Sequence, residues 1–563
     1  MNAETAYIFR HALLRDAAYQ LQLPGDRARL HGLAFAAIEK LCGGRAPAPA
    51  PLDAAEEIAL LPHVMDPLAR DLSEHASLSQ VQDQDESDSP EALDRRAALR
   101  IYLVRGALHS ESHFQFGVAE RLWLEYAGHS SGAEKGEALR RAAIAAHQAG
   151  RLGVAEPLLE QALAIHRQAG NRRLEGLVLG SLGNVHQQVG RTELAERSHG
   201  EALAILRTVS DRRAEGVELG YLANVYYQSG RVGLADQSFK QALAIHREVG
   251  NRNAEGVALA NLSILYSATG RLGLGERCLR EALAIYREMG SRRAGAIALS
   301  SLANNYMDSE QVELAERTFA EAIAIQREVG NRRSEGISLG GLANLYRDTG
   351  RAALAEASHS EALAIHREVG NRHFEGIALR NLANVYRDTG RADLAVLTYT
   401  EALVIHREVR DRRSEGISLE NLANAYQETG RLEPAERSFI EALAILREVG
   451  ERRFEGAALG GLATVYRDTG RLELAERSFP EALAIHRELG NRRSEGTHLC
   501  AYAMLLLIQG RIEPARRMWH EGAVILREIG DTVALRLRSA EMMKTCAIAG
   551  VVPFEESVPE IRN

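Results

Sequence analysis

Four cysteines in 563 residues, Cys42, Cys278, Cys500 and Cys546, stand far apart and never in CxxC spacing. That excludes a disulfide frame or a cysteine zinc site and predicts buried, reduced thiols. No apolar run approaches bilayer length, and the N-terminus lacks the apolar core of a signal peptide. A soluble, cytoplasmic protein with no membrane partner is expected. Aromatic residues make up only 5%, with two Trp, and the formal net charge is -8 with both signs mixed along the sequence. Neither favours a polyanion partner. No GxxxxGK[ST] phosphate loop and no HExxH occurs. Gly336-Ile-Ser338-Leu-Gly340 spells GxSxG, but it falls inside a helical pattern, where a nucleophile elbow needs a strand running into a helix. Gly273-Leu-Gly275 opens a GxGxxG that ends in Cys278. Asp83, Asp85 and Ser87 start like a calcium loop, but Asp88 stands where Gly is required. No catalytic residue, metal or cofactor is therefore assigned, and an enzyme is the least supported class.

What the sequence has in abundance is repetition. Gly150, Gly190, Gly230, Gly270, Gly350, Gly390, Gly430, Gly470 and Gly510 recur every 40 residues, each followed by Arg; Glu310-Gln311 is the one break. Ten units fit between Gly136 and Gly530. A fixed period of this length marks stacked supersecondary units. Within one unit, Leu339, Leu342, Ala343 and Tyr346 lie at i, i+3, i+4 and i+7, one face of a helix. Gly350 stands where that helix stops. Leu354, Ala355, Ser358, Ala362 and Leu363 make a second stripe, ended by Gly370, and Asn371 is placed to cap the next helix. The unit reads as two antiparallel helices, A and B, whose apolar faces need neighbours to cover them.

Leu342, Ala343, Tyr346, Gly350, Ala355, His359 and Ala362, with Phe239, Phe319, Phe439 or Phe479 at the His359 position, resemble the signature of the tetratricopeptide repeat. The Gly-Asn-Arg-Arg-x-Glu-Gly joint and Leu-Ala-Asn-x-Tyr helix look like the 40-residue subclass of kinesin light chains and Leu-Gly-Asn spindle-orientation adaptors. The resemblance implies an all-α, right-handed α-solenoid of antiparallel helix pairs that binds a protein or peptide along its inner groove. Ile337, Gly340, Asn344 and Arg347 cluster on the second face of helix A, about 130° from the core stripe at 100° per residue. In the resembling family this face lines the groove. The candidate partner-binding residues are Asn184, Asn224, Asn304, Asn344, Asn384 and Asn424, with Arg347, Arg387 and Arg467 one turn on. Asn offers a donor and an acceptor, and Arg a fork for a carboxylate. Gly340 and Gly460 would leave room for a ligand side chain. A structural or merely duplicated Asn explains the same row. The histidines His166, His246, His366, His406 and His486 recur near the end of helix B, with Leu206, Tyr286, Gln326, Leu446 and Leu526 in sister units. Those replacements favour semi-buried packing over metal binding. Arg332, Arg333 and Arg372 are expected on a solvated joint.

Residues 1–43, with Phe9–Tyr19 and Arg27–His31 as amphipathic segments, resemble the helical tail that follows the nucleotide-binding module of large bacterial signalling ATPases. That resemblance implies an alternative role, the sensor portion of such a regulator without its NTPase domain. A repeat-coded RNA binder is a further alternative that the charge disfavours. Residues 44–91 read as a Pro-rich linker, helical patterning from Leu52 to Ala76 and an acidic loop. Residues 92–135 read as a divergent helical pair, 136–530 as ten repeats, 531–549 as a capping helix and 550–563 as an extended tail. Gly275, Gly295 and Glu310 replace residues found in the sister units, marking 270–310 as the expected soft point. Pro480 is expected to kink its helix.

Overall fold

The structure, a computed structural model, describes residues 23–54, 61–79, 90–113 and 115–554. Among the described residues there are 25 α-helices and no strand. The protein divides into two compact units, Met1–Ile285 and Tyr286–Asn563. Both are built from antiparallel helix pairs stacked in sequence order, the α-solenoid arrangement expected from the period. In the first unit Arg172–Gln188 pairs with Thr192–Thr208, and Arg212–Gln228 with Val232–Glu248. In the second, Arg332–Asp348 pairs with Ala352–Glu368, Arg372–Asp388 with Ala392–Glu408, Arg412–Glu428 with Leu432–Glu448, and Arg452–Asp468 with Leu472–Glu488. The first member of each pair is an A helix and the second a B helix.

The turn between them follows from the Gly-Arg pair. Gly350 sits at φ 75°, its N–H donates to the Arg347 carbonyl at 3.0 Å, and the Arg351 N–H donates to the Tyr346 carbonyl at 2.8 Å. These two bonds satisfy carbonyls that the helix end would leave orphaned. The Thr349 hydroxyl donates to the Leu345 carbonyl, and the Arg351 guanidinium lies 4.5 Å from the centroid of the Tyr346 ring. Glu310 takes the same left-handed turn at φ 59°, which costs a residue with a Cβ about 1 kcal/mol.

The core follows the predicted stripes except at Leu354, which is 47% exposed, and at Tyr346 and Ser358, which are only partly buried; on the B helix the buried row runs through Ala355, His359, Ala362 and Leu363 instead. Leu339, Leu342, Ala343, Ala355, Ala362 and Leu363 are all buried, each large side chain contributing about 1.5–3 kcal/mol. Small residues are set by what presses on them. A Cβ on Gly336 would lie 2.6 Å from His366 Cε1, and one on Gly341 2.8 Å from the Phe319 ring. The His row is therefore fully buried rather than semi-buried: each ring, or the Leu of a sister unit, fills the slot over the joint glycine.

The joint departs most from expectation. Glu335 is wholly buried, and its two oxygens accept from Arg327 Nε and Arg332 Nη1, both at 2.6 Å. Arg327 also reaches Glu361, and Arg332 reaches Glu368, each at 2.6 Å. This five-residue rung ties a B helix to both helices of the next repeat. It recurs around Glu375, Glu415, Glu455 and Glu495 in the second unit. Its Arg–Glu–Arg core also forms around Glu175, Glu215 and Glu255 in the first. Arg332 and Arg372 remain 39% and 41% exposed and Arg333 is exposed, as expected of the joint, but the first two stand in rungs that join three helices through a full set of ion pairs rather than a few. Gly295 stands where the carboxylate belongs, so that rung lacks its centre.

Other expectations need correction. Asn331 caps its helix by accepting from the Ser334 N–H, but Asn371 makes no such bond. Cys42 and Cys278 are only partly buried. Among the described residues of 52–76 the helical patterning gives the turn Asp66–Leu68 and the helix Ala69–Leu78, and 55–60 lie outside the described residues. The proline-rich stretch packs rather than hangs free: Ala46 is buried and its N–H donates to the Tyr102 hydroxyl, while the Pro47 carbonyl accepts from Arg105. Arg27–His31 lies within the helix Pro24–Leu41, whereas Phe9–Tyr19, the acidic loop at 80–89 and residues 555–563 lie outside the described residues. Pro480 lies inside Leu472–Glu488, a helix of the same 17-residue length as its sisters. The cap is Thr532–Ala549, with the Asp531 side chain accepting from the Ala534 N–H.

Candidate functional site

Ser338 of the GxSxG string lies mid-helix, buried, with its hydroxyl 2.6 Å from that of Ser300. No group of three metal-ligating side chains occurs among the described residues. The face that remains is the one carrying the Asn row. Contacts along it are set by the stacking: position i of one A helix meets i+38 of the next, as Ser300 meets Ser338. The same register brings Glu218 over Gly180 and His498 over Gly460.

That register sorts the predicted residues. In the first unit Asn184 hydrogen-bonds Tyr221, whose hydroxyl pKa is raised by burial and then by the charge of Glu218. Tyr221 stacks on His199, which is held to Glu218 at 2.8 Å. Asn224 has no hydrogen bond to any described residue, and Gly220 beside it has open space above it. In the second unit Asn304 is exposed and Asn344 half-buried, again with no partner among the described residues. The hydroxyl of Tyr399 donates to Asn384 Oδ1, and Asn424 Nδ2 donates to Glu420 at 2.6 Å. Burial raises the Glu420 pKa, against the opposing charge of Arg387 and the bond from Asn424. Asn384 and Asn424 are therefore spoken for in part, and Asn224, Asn304 and Asn344 are open.

The arginines differ as well. Arg347 pairs with Asp348 at 3.0 Å. Arg387 reaches Asn421 at 3.4 Å and lies 3.8 and 3.9 Å from Asp388 and Glu428. Arg467 is folded away, paired to Asp468 at 2.6 Å and pointing at the Ala501 carbonyl. Room was expected at two glycines, and one has it: nothing lies within 4 Å of a Cβ on Gly340, but the His498 ring occupies the place over Gly460. Ile297 and Ile337, on the same face, are 47% and 39% exposed. The sequence reading missed Arg380, which stands at the Gly340 position one repeat on.

A cleft of about 370 Å³ opens on a different face, lined by Leu403, Val404, Arg407, Tyr426 and Pro434. Arg407 there is already paired to Glu415 and Glu441.

The family model of the tetratricopeptide repeat matches residues 134–208, 217–288, 296–368, 374–448 and 454–518. The protein belongs to the tetratricopeptide repeat family. No curated protein matches it. Among solved structures, this tetratricopeptide protein is similar to a Rap protein complexed with Competence and Sporulation Factor. Identity there is 16%, over 62% of this sequence and 98% of that one, with a TM-score of 0.44. It is also similar to the nearly identical repeats of a putative kinesin light chain from Podosopora anserina: 22% identity, 34% and 95% coverage, TM-score 0.30. A third similarity is to a STAND signal-transduction ATPase with a tetratricopeptide repeat sensor from Pyrococcus horikoshii. There the identity is 16%, coverage 82% and 71%, and TM-score 0.43. No helix among the described residues is long and apolar enough to cross a membrane.

Proposed function

We propose that this protein is a non-catalytic scaffold that holds extended segments of a partner protein against the Asn-bearing faces of the A helices within each unit. Residues 136–530 are the recognition array in this reading, with 531–549 as its cap and a reducing, cytoplasmic setting. The observation that carries it is the set of open amides. Asn224, Asn304 and Asn344 occupy the same phase of their A helices, and none bonds any described residue. Asn is a poorer helix former than Ala, and each amide can bond both groups of a ligand peptide unit. Gly220 and Gly340, one turn away, leave space beside two of them. Nucleic acid, membrane and cofactor have no place in this reading.

The test is recovery of partners from the native cell by full-length protein and by the variant N224A/N304A/N344A. Loss of a specific partner from the variant, with helicity by circular dichroism unchanged, supports the groove. Equal recovery by both proteins sinks it, and a salt-dependent gel shift with RNA at micromolar protein would replace it with a nucleic-acid reading.

A further inference from the structure

The solvent side of the B helices is polar or small in most repeats, and one neighbouring pair in the second unit is apolar there. At the Leu397 position sister repeats carry Arg197, Gln237, Arg317, Ala357, Arg437 or Arg477. At the Val404 position the flanking repeats carry Ala364 and Ala444, and at the Ile440 position sisters carry Gly200, Lys240, Ser360 or Thr400. Leu397 and Val404 are 68% and 61% exposed, and Ile440 49%. They lie on Ala392–Glu408 and Leu432–Glu448, consecutive B helices of the second unit. The change extends to the ion pairs. Glu356 and Glu436 hold Arg391 and Arg471, but the repeat between them has the buried Val396, and Arg431 turns to Asp393 instead. Single exposed apolar residues need no explanation. Three that gather where sister copies are charged or small mark a surface made to be covered.

This surface has a ridge and a hollow side by side. Leu397, Thr400 and Val404 form the ridge. The 370 Å³ cleft opens between the same two helices, with Leu403 and Val404 on one side, Pro434 and Ser438 on the other, and Leu419 and Tyr426 of the intervening A helix behind them. Pro434 stands where sister repeats have Leu354, Leu394 or Leu474, so that side lacks a branched side chain. On the other flank of the ridge the exposed residues Ala353, Ala357, Ser360 and Ala364 are all small, which lets a partner approach closely.

The rim carries both signs in a fixed order. Asp393 and Glu433 stand in the first turns of the two helices, and Arg407 and Arg447 in the last. Each has an opposite charge at hand: Arg431, Arg437, Glu441 and Glu481 respectively. Glu408 and Glu448, also in the last turns, are held by Arg372 and Arg412. Such a rim selects neither an acidic nor a basic partner. A copy related by a two-fold axis runs its B helices antiparallel to these, which sets first-turn acids against last-turn arginines at both ends.

We propose that the solvent face of Ala392–Glu408 and Leu432–Glu448 is a two-fold interface with a second copy of this protein, Leu397 of each copy entering the cleft of the other beside Val404 and Pro434. A ridge and a hollow on one patch are what an isologous contact requires, since the same residues must serve as both knob and socket. Burying Leu397, Val404 and Ile440 drives the association. The inference is independent of the groove reading, which uses the A helices.

The test is the mass of the full-length protein in solution, by light scattering after gel filtration and by sedimentation equilibrium, from submicromolar to high-micromolar concentration. The parent should dimerise within that range. L397R/V404A installs residues that sister repeats carry at the same positions; it should weaken the dimer at least about tenfold and leave circular dichroism melts at low concentration unchanged. I440S, again a sister residue, should weaken it too. D393K/E433K should weaken it, and more so at low salt. N224A/N304A/N344A should dimerise as the parent does, so a failure of the groove and a failure of this interface are told apart. A monomer at every concentration would overturn the proposal, and so would a dimer that L397R/V404A and I440S leave intact. A monomer that captures a different protein through Leu397 would give the patch another occupant and overturn the second copy as well. Should L397R/V404A fail to fold, I440S decides the matter alone.

Discussion

Acidification should loosen this array through its buried histidines, and the size of the effect can be worked out. His366 and His406 are wholly or almost wholly buried over Gly336 and Gly376, and neither Nδ1 has a hydrogen-bond partner. Burial, reinforced by Arg333 in one case and by Arg380 in the other, lowers each from 6.5 to about 4; Glu375, Asp411 and Glu415 oppose this only in part. Between those two pH values the unfolded protein binds protons that the folded protein does not. Stability from these residues is therefore complete above about pH 6.5 and is lost as pH falls towards 4. At pH 5 the loss is between about 1 and 2 kcal/mol for each ring, the lower figure allowing for local opening to water. The control is built into the sequence: Leu446 and Leu206 fill the same slot over Gly416 and Gly176. The variant H366L/H406L should match the parent at pH 7.5 within about 1 kcal/mol and exceed it at pH 5 by about 2–4 kcal/mol. Urea melts followed by circular dichroism at the two pH values measure the difference. An unchanged pH dependence in the variant would refute the account, because the surrounding carboxylates are common to both proteins.

Gly336→Ala should cost about 1–3 kcal/mol, since its Cβ must displace His366, whereas Gly340→Ala should leave stability equal or raise it by up to about 1 kcal/mol; thermal melts of the two variants compare them. Glu335→Gln should lower stability by about 1–3 kcal/mol by uncoupling Arg327 and Arg332, and the deficit should shrink in 1 M NaCl, which screens the rung in the parent. G295E restores the missing carboxylate between Arg287 and Arg292, and E310G removes the strained turn. Each should gain about 1 kcal/mol and slow hydrogen exchange over 292–310, which in the parent should exchange faster than 350–390. Equal exchange in those two segments would count against a soft point there.

The hairpins were legible because their determinants lie within one period. Leu339 and Tyr346 share a face, Gly350 must end the helix, and the same letters recur 40 residues later. The joint was legible only as composition. Nothing in Arg332 or Glu335 says that the carboxylate is buried between guanidiniums from two helices, since Arg327 belongs to the preceding repeat. The candidate site was harder still, because several of its positions meet residues 34 to 38 positions away in a sister unit whose identity varies there, as Arg387 meets Asn421 and Gly460 meets His498. Gly340 and Gly460 look alike in sequence, but Ala378 follows one and His498 the other at that offset, so one is open and one is filled. Asn344 and Asn384 look alike too, but a Tyr at 399 in place of His359 engages only the second. Arg380 went unnoticed because it replaces a small residue once, outside any recurring row.

The five-residue rung has a consequence for how such a gene can grow. Each rung takes residues at five fixed phases from three successive helices, so it closes only when the incoming hairpin arrives in whole-period register. Duplication or loss of one complete copy hands every neighbour the same acids and bases it had before. An insertion of any other length between Arg327 and Arg332 would leave the buried Glu335 with Arg332 alone, its partner on the same helix, and would cost the rung its tie to the preceding hairpin. The uniform spacing of this sequence is then a record of electrostatic bookkeeping at the joints as much as of recent copying.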